Sequence, residues 1–114
     1  MTFLINMAEL PLRGGTARVF EGYQFGDTNV SFLLNDAPPG DGPSLHLHPY
    51  EEIFVIQAGQ ATFTVGDATI EATGGQIVVA PAGIPHKFIN SGKTLLSSVN
   101  IHPISQMITE WLED

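Results

Sequence analysis

An all-β fold, an antiparallel sandwich or barrel, is what this sequence predicts, and three observations carry the prediction. Twelve glycines and eight prolines are spread along the 114 residues as punctuation rather than gathered in a linker. Between them lie short runs rich in β-branched and aromatic residues. No long helical pattern occurs before residue 103, so turn signals every several residues argue for a small all-β domain.

The runs can be taken in order. "TARVFEGYQF" (residues 16–25) and "NVSFLLND" (29–36) flank Gly26-Asp27-Thr28 and read as a hairpin. "PPGDGP" (38–43) is a loop. "EIFVIQ" (52–57) and "QATFTV" (60–65) flank Ala58-Gly59, and "ATIEA" (68–72) follows Gly66-Asp67, a pair suited to a tight two-residue turn. "QIVVAP" (76–81), "HKFIN" (86–90) and "TLLSSVNIH" (94–102) continue the series. In the tail, Ile104, Met107, Ile108, Trp111 and Leu112 fall on one side of a helix. A short C-terminal helix over about 104–113 is therefore predicted, N-capped by Ser105 and packed outside the β-body, with Trp111 a packing residue.

Composition narrows the partners. A length of 114 residues suits one domain, 1–114, with one core. Twelve acidic against four basic residues give a net charge of −8. The four cations, Arg13, Arg18, Lys87 and Lys93, form no cluster in the sequence, so nucleic acid and anionic membrane are poor partners. With no cysteine, any metal site must be built from imidazole and oxygen. The first fifteen residues lack a basic segment followed by a long apolar run, and no stretch reaches the ~20 apolar residues of a membrane span. A soluble cytoplasmic protein is the expectation.

Two of the four histidines stand two apart in "SLHLHPYEEIF" (44–54). In a strand, His46 and His48 project to the same face. A turn at Pro49-Tyr50 would return the chain beside them and set Glu52 opposite. Glu51 offers itself too, but Glu52 shares its face with Phe54 and Ile56, which suit an interior, whereas Glu51 then faces water. Two imidazoles and a carboxylate with open positions suit a divalent first-row metal: Fe, Mn, Ni, Cu or Zn. The competing reading is a wet sheet face that happens to carry imidazoles.

The spacing extends further. Gly40, five residues, His46-x-His48, three residues, Glu52, six residues and Gly59 form one string. Gly75, five residues, Pro81-x-Gly83, two residues, His86, three residues and Asn90 form a second. Both resemble the two consensus motifs of the cupin superfamily, in the same order and with every marked position filled. The resemblance, to a small single-domain member, implies a double-stranded β-helix, a jelly-roll barrel, holding a metal with His46, His48, Glu52 and His86. It assigns Gly59 to a hairpin after the metal-bearing strand and Gly83 to the turn that delivers His86. It also implies a homodimer, joined through sheet edges.

Fold does not fix activity within such a superfamily. The complete ligand set favours a metal-dependent enzyme of dioxygenase type acting on a small oxygen-rich organic substrate. Isomerase or lyase chemistry is the alternative, and a non-catalytic small-molecule-binding module the other. Phe54, Ile56, Phe63, Val79 and Phe88 are candidates for an apolar pocket lining, which suits an enol, diketone or phenolic acid. No catalytic residue is assigned. His102, at the end of the last strand, is the one weak candidate, either behind the ligands or as an acid/base group. Tyr23, Tyr50 and Gln57 are remoter candidates, and Glu51, next to a ligand, is a candidate gate.

Overall fold

The computed structural model describes residues 4–114 and contains two antiparallel sheets facing each other. The strands are β1 (Leu12–Arg13), β2 (Ala17–Phe20), β3 (Ser31–Ala37), β4 (His46–Leu47), β5 (Glu52–Ala58), β6 (Gln60–Val65), β7 (Ala68–Thr73), β8 (Ile77–Ala80), β9 (His86–Asn90), β10 (Leu96–His102) and β11 (Glu110–Trp111). One sheet has the order β1-β2-β3-β10-β5-β8 and the other β11-β4-β9-β6-β7. Single 3-10 turns cover Met7–Glu9 and Gly22–Gln24. Among the described residues no helix is long and apolar enough to cross a membrane.

Alternation through most of β5, β6 and β8 and all of β10 decides which side chains meet. Glu52, Phe54 and Ile56 of β5, Ala61 and Phe63 of β6, and Val78 and Ala80 of β8 are all buried. Phe54, Phe63 and Phe88 close the space between the sheets, with ring centroids 4.9, 5.7 and 5.2 Å apart in the three pairs. Rings at these separations contribute beyond the area they remove from water. On β10 the inward positions change character along the strand, from Leu96 to Ser98, Asn100 and His102. The core is thus apolar at one end of the barrel and polar at the other.

The β6–β7 turn forms as the sequence predicts, and β2 and β3 pair across a longer connection that includes the Gly22–Gln24 turn. The segments around Gly59 do not form a hairpin. Strands β5 and β6 lie in different sheets, and Gly59 is the corner between them, at φ +94°. A Cβ there would stand 2.6 Å from the carbonyl oxygen of Leu95. Likewise β4 and β5 belong to different sheets, so Pro49 and Tyr50 carry the chain across the barrel rather than back along it. Glu52 faces the histidines across the interior instead of beside them on one sheet.

The helix expected over 104–113 does not form. Trp111 pairs with His46 and Glu110 with Leu47, so β11 adds to the edge of β4. The Leu112 N–H donates to the Leu45 carbonyl at 2.9 Å, and the Glu113 carboxylate accepts the Leu45 N–H at 3.1 Å. A ten-residue helix is marginal alone, and an open strand edge offers this backbone better partners. The apolar spacing is real, but tertiary pairing overrides it. Ile108 and Trp111 remain about half exposed.

Two glycines separate local strain from crowding. Gly40 has φ +84° with nothing within 4 Å of the place a Cβ would take, whereas Gly59 is crowded by backbone. Gly40→Ala is expected to cost about 1–2 kcal/mol and Gly59→Ala about 2–4 kcal/mol. Urea unfolding of the two variants checks the order; equal midpoints would mean that the corner relaxes freely.

Candidate metal centre

The polar end of the barrel gathers four side chains from three strands and the turn between β4 and β5. His46 on β4 is register partner to His86 on β9, and His48 follows two residues after His46. Glu52 opens β5 in the facing sheet. One donor atom from each of His46, His48, Glu52 and His86 lies within 4.8 Å of the others, and all four residues are buried, His86 at 1% and Glu52 at 2% exposure. Gly83 helps hold this arrangement: its N–H donates to the His48 carbonyl at 2.8 Å, tying the turn before β9 to the residue after β4.

The backbone around each ring fixes which nitrogen faces inward. Nδ1 of His46 lies 2.7 Å from the Ser44 carbonyl, Nδ1 of His48 2.7 Å from the Ile108 carbonyl, and Nδ1 of His86 3.1 Å from the Ile84 carbonyl. A carbonyl can only accept, so each Nδ1 carries a proton and each ring turns Nε2 inward, bare when the ring is neutral and a donor when it holds a second proton. The Nε2 atoms of His48 and His86 both stand 3.0 Å from Oε1 of Glu52. Lone pairs and a carboxylate oxygen converging at that distance require a cation among them, whether extra protons or a metal ion. Donors held ~2.1 Å from a common ion and at right angles to one another are ~3.0 Å apart, so the spacing suits a divalent ion. The donor types fit one too, three imidazoles and one carboxylate.

Burial acts oppositely on the two kinds of donor. It pushes His46 down from 6.5 to about 4, only partly offset by the Ser44 hydrogen bond, so the ring is neutral at neutral pH. For Glu52 burial favours the acid, but hydrogen bonds from His102, His48 and His86, the last two requiring an inward proton on Nε2 where no metal ion stands, outweigh it and hold the carboxyl well below the ordinary carboxylate range. Both residues therefore stand in the protonation state that binds cations.

The cluster borders a cavity of about 280 Å³. Phe88 lines it, but Phe54, Ile56 and Phe63 lie deeper, in the core beneath the cluster. Val79 is 52% exposed on the outer face, because Val78 takes the inward place opposite Phe54. The lining is instead mixed: Leu33 and Ala37 beside the amides of Asn35 and Asn100, with Arg13 and Trp111 also on the wall. The cations of the chain are thus not all remote from the pocket. Trp111 also covers His46, with ring centroids 4.9 Å apart. The alternation in "LSSVNIH" is the signal that marks Asn100 and His102 as inward-facing; nothing in the sequence places Arg13 or Trp111 there.

His102 joins the site, at 2% exposure with Nε2 3.0 Å from Oε2 of Glu52. Tyr50 joins it as well: its hydroxyl lies 2.7 Å from His102 Nδ1, and its ring stacks on His48. Tyr23, Glu51 and Gln57 are exposed and do not appear among the residues lining the cavity.

Comparison with known proteins gives a consistent picture. The sequence model of a family described as "Cupin domain" matches residues 34–102. An uncharacterized protein of Streptomyces coelicolor is 31% identical over 77 residues, covering 68% of this chain and 73% of that one. Oxalate decarboxylase from Bacillus subtilis superposes with a TM-score of 0.80 at 21% identity, over 92% of this chain. This chain spans only 30% of the length of that enzyme. A conserved protein with a double-stranded β-helix domain from Klebsiella pneumoniae superposes with a TM-score of 0.76 at 21% identity, each chain covered in full.

Tyr50 supplies a pH test. Burial, eased a little by the Ile108 N–H that donates to the hydroxyl, raises its phenol from 10 to about 12. The unfolded chain ionises first, so the stability contributed by Tyr50 is complete below pH 10 and is lost as pH rises towards 12. Phenolate absorbance should show a transition near pH 12 that is missing in Tyr50→Phe; its persistence in the variant would contradict the assignment.

Proposed function

The chain belongs to the cupin domain family, and from that premise we propose that it is a metal-dependent enzyme acting on a small oxygen-rich organic substrate, with chemistry of dioxygenase type. His46, His48, Glu52 and His86 would hold a divalent first-row ion. The observation that carries the reading is the convergence of three imidazoles and one buried carboxylate, each ring held from behind through Nδ1, beside a cavity. A bound ion would supply Lewis acidity and, if redox-active, electron transfer.

The residues themselves account for selection and protection. A cavity of about 280 Å³ admits only a small molecule. Leu33, Ala37 and Phe88 exclude water from part of it, and Asn35 and Asn100 offer donors and acceptors for substrate oxygens. Arg13 on the wall favours a substrate with anionic character in a chain of net charge −8. Diketones, enols and phenolic or other small carboxylic acids meet these requirements. Isomerase or lyase chemistry uses the same four ligands without dioxygen, and a binding module uses them without turnover.

Metal analysis of untagged protein tests the site. Near-stoichiometric first-row metal is expected, with affinity reduced by more than ~100-fold in His86→Ala, beyond the ~10–100-fold typical of residues that only support ligands. Folded protein that takes up no metal would remove the reading. Oxygen consumption with the candidate substrates after loading with Fe(II), Mn(II), Ni(II) or Zn(II) separates the chemistries. Turnover equal with Zn(II) in the absence of oxygen would leave the isomerase or lyase.

The same reading includes the homodimer, and beside the sheet edges the outer face of the six-stranded sheet offers a surface for it. Phe20, Phe32, Ile101, Ile53 and Val79 form one row across five strands, and Arg18, Leu34, Val99, Val55 and Ile77 the next. Ile77 is 63% exposed. Arg18 alone is charged, and its guanidinium turns to the Leu10 carbonyl at 2.8 Å. Two copies that each carry −8 can meet on these two rows, which hold no acid, with Asp36 and Glu51 at their margins. Light scattering at high micromolar concentration should give a dimer, and Ile77→Glu with Val79→Glu should give a monomer. A wild-type monomer would refute the pairing.

A further inference from the structure

The four histidines do not present the same chemistry. Three have Nδ1 against a backbone carbonyl and face inward with a bare Nε2. The fourth, His102, has Nδ1 2.7 Å from the hydroxyl of Tyr50. That hydroxyl already accepts the Ile108 N–H at 3.2 Å. The phenol has one proton to give, and among the described residues Nδ1 of His102 is the acceptor in its reach. If the phenol donates, Nδ1 is bare and neutral His102 carries its proton on Nε2. That nitrogen lies 3.0 Å from Oε2 of Glu52, off the ideal hydrogen-bond line, and has no other polar partner among the described residues. The opposite tautomer would strand the phenolic proton and turn a lone pair on the carboxylate, two buried penalties where the first arrangement has one poorly aligned N–H facing a carboxylate oxygen.

We propose that His102 is a positioning residue: set by Tyr50 in the Nε2–H tautomer, it faces Oε2 of Glu52 and keeps Oε1 turned to the Nε2 atoms of His48 and His86. The role rests on the metal-binding reading of the cluster. It makes the last long strand, outside both sequence motifs, part of the ligand geometry. It also explains why a fourth histidine at 2% exposure stands beside the cluster without adding a fourth bare nitrogen to it. Tyr50 is held for the task from a third side, since its ring stacks on His48 with centroids 5.1 Å apart at 12°.

The tautomers can be read without metal, from long-range nitrogen–proton correlations of histidine rings labelled with nitrogen-15 at mildly alkaline pH. His46, His48 and His86 are expected to carry the proton on Nδ1, and His102 on Nε2. Tyr50→Phe should move His102 towards the Nδ1–H form. A wild-type His102 already protonated on Nδ1 would overturn the assignment whatever the metal results. The second arm uses Co(II). His102→Leu should weaken Co(II) binding by ~10–100-fold and change the visible ligand-field spectrum, while His102→Gln, whose amide N–H can replace the donor, should restore both in large part. His102→Leu with wild-type affinity and spectrum would overturn the positioning role. Wild-type protein that binds no Co(II) would overturn the metal reading and this role with it.

Discussion

A carboxylate at the polar end of a barrel, almost without access to water, is the constraint on which the rest of the site depends. Glu52 cannot stay ionised there unless positive charge or hydrogen-bond donors face it. Imidazoles from β4, β9 and β10 and from the crossing after β4 supply the nitrogens that can hold that charge, as protons or a metal ion, and their positions require those strands to end at the same level. That requirement fixes the register of β4 against β9 and the crossing of the chain between sheets at Pro49 and Tyr50. The phenylalanine cluster beneath plays a complementary part: by filling the apolar end it gives the strands a rigid base, and Phe54 sits 5.9 Å from the His86 ring as the boundary between the two.

The balance within the site follows from dielectric rather than from any single contact. Burial moves a histidine towards its neutral form and a carboxyl towards its acid form, so an isolated pair would lose the charge that makes it useful. Here the first tendency is allowed, at His46, and the second is overcome by neighbours, at Glu52. Neutral nitrogen and anionic oxygen then coexist in a space from which bulk water is excluded. A divalent cation is the simplest partner for such a set, and protons are its competitors.

Much of this was legible in the residues. Alternation in β5, β9 and β10 shows which side chains turn inward, and the two spaced strings around His46 and His86 carry the donor set and the barrel together. The residues mislead where strand pairing is set at long range. The glycine after β5 looks like a hairpin because a hairpin and a corner between sheets need the same backbone freedom; only the partner of β6 separates them. Val79 and Val78 are chemically equivalent in sequence, and one step of register decides which is core. The tail has helical spacing, but β4 has a free edge, and a backbone that can complete a sheet does so. Arg13 and Trp111 come to the cavity from the two ends of the chain, where no local pattern reports their destination.

The segment that ends the chain has a consequence for how the site holds together. Its Ile108 carbonyl fixes the His48 ring, its Trp111 covers His46, and its backbone closes the edge of β4. The final residues are therefore not an appendage but the outer wall of the donor cluster. The attachment of residues 108–111 is thermodynamically linked to the orientation of two of its rings, so whatever tightens the grip on those rings also tightens the wall.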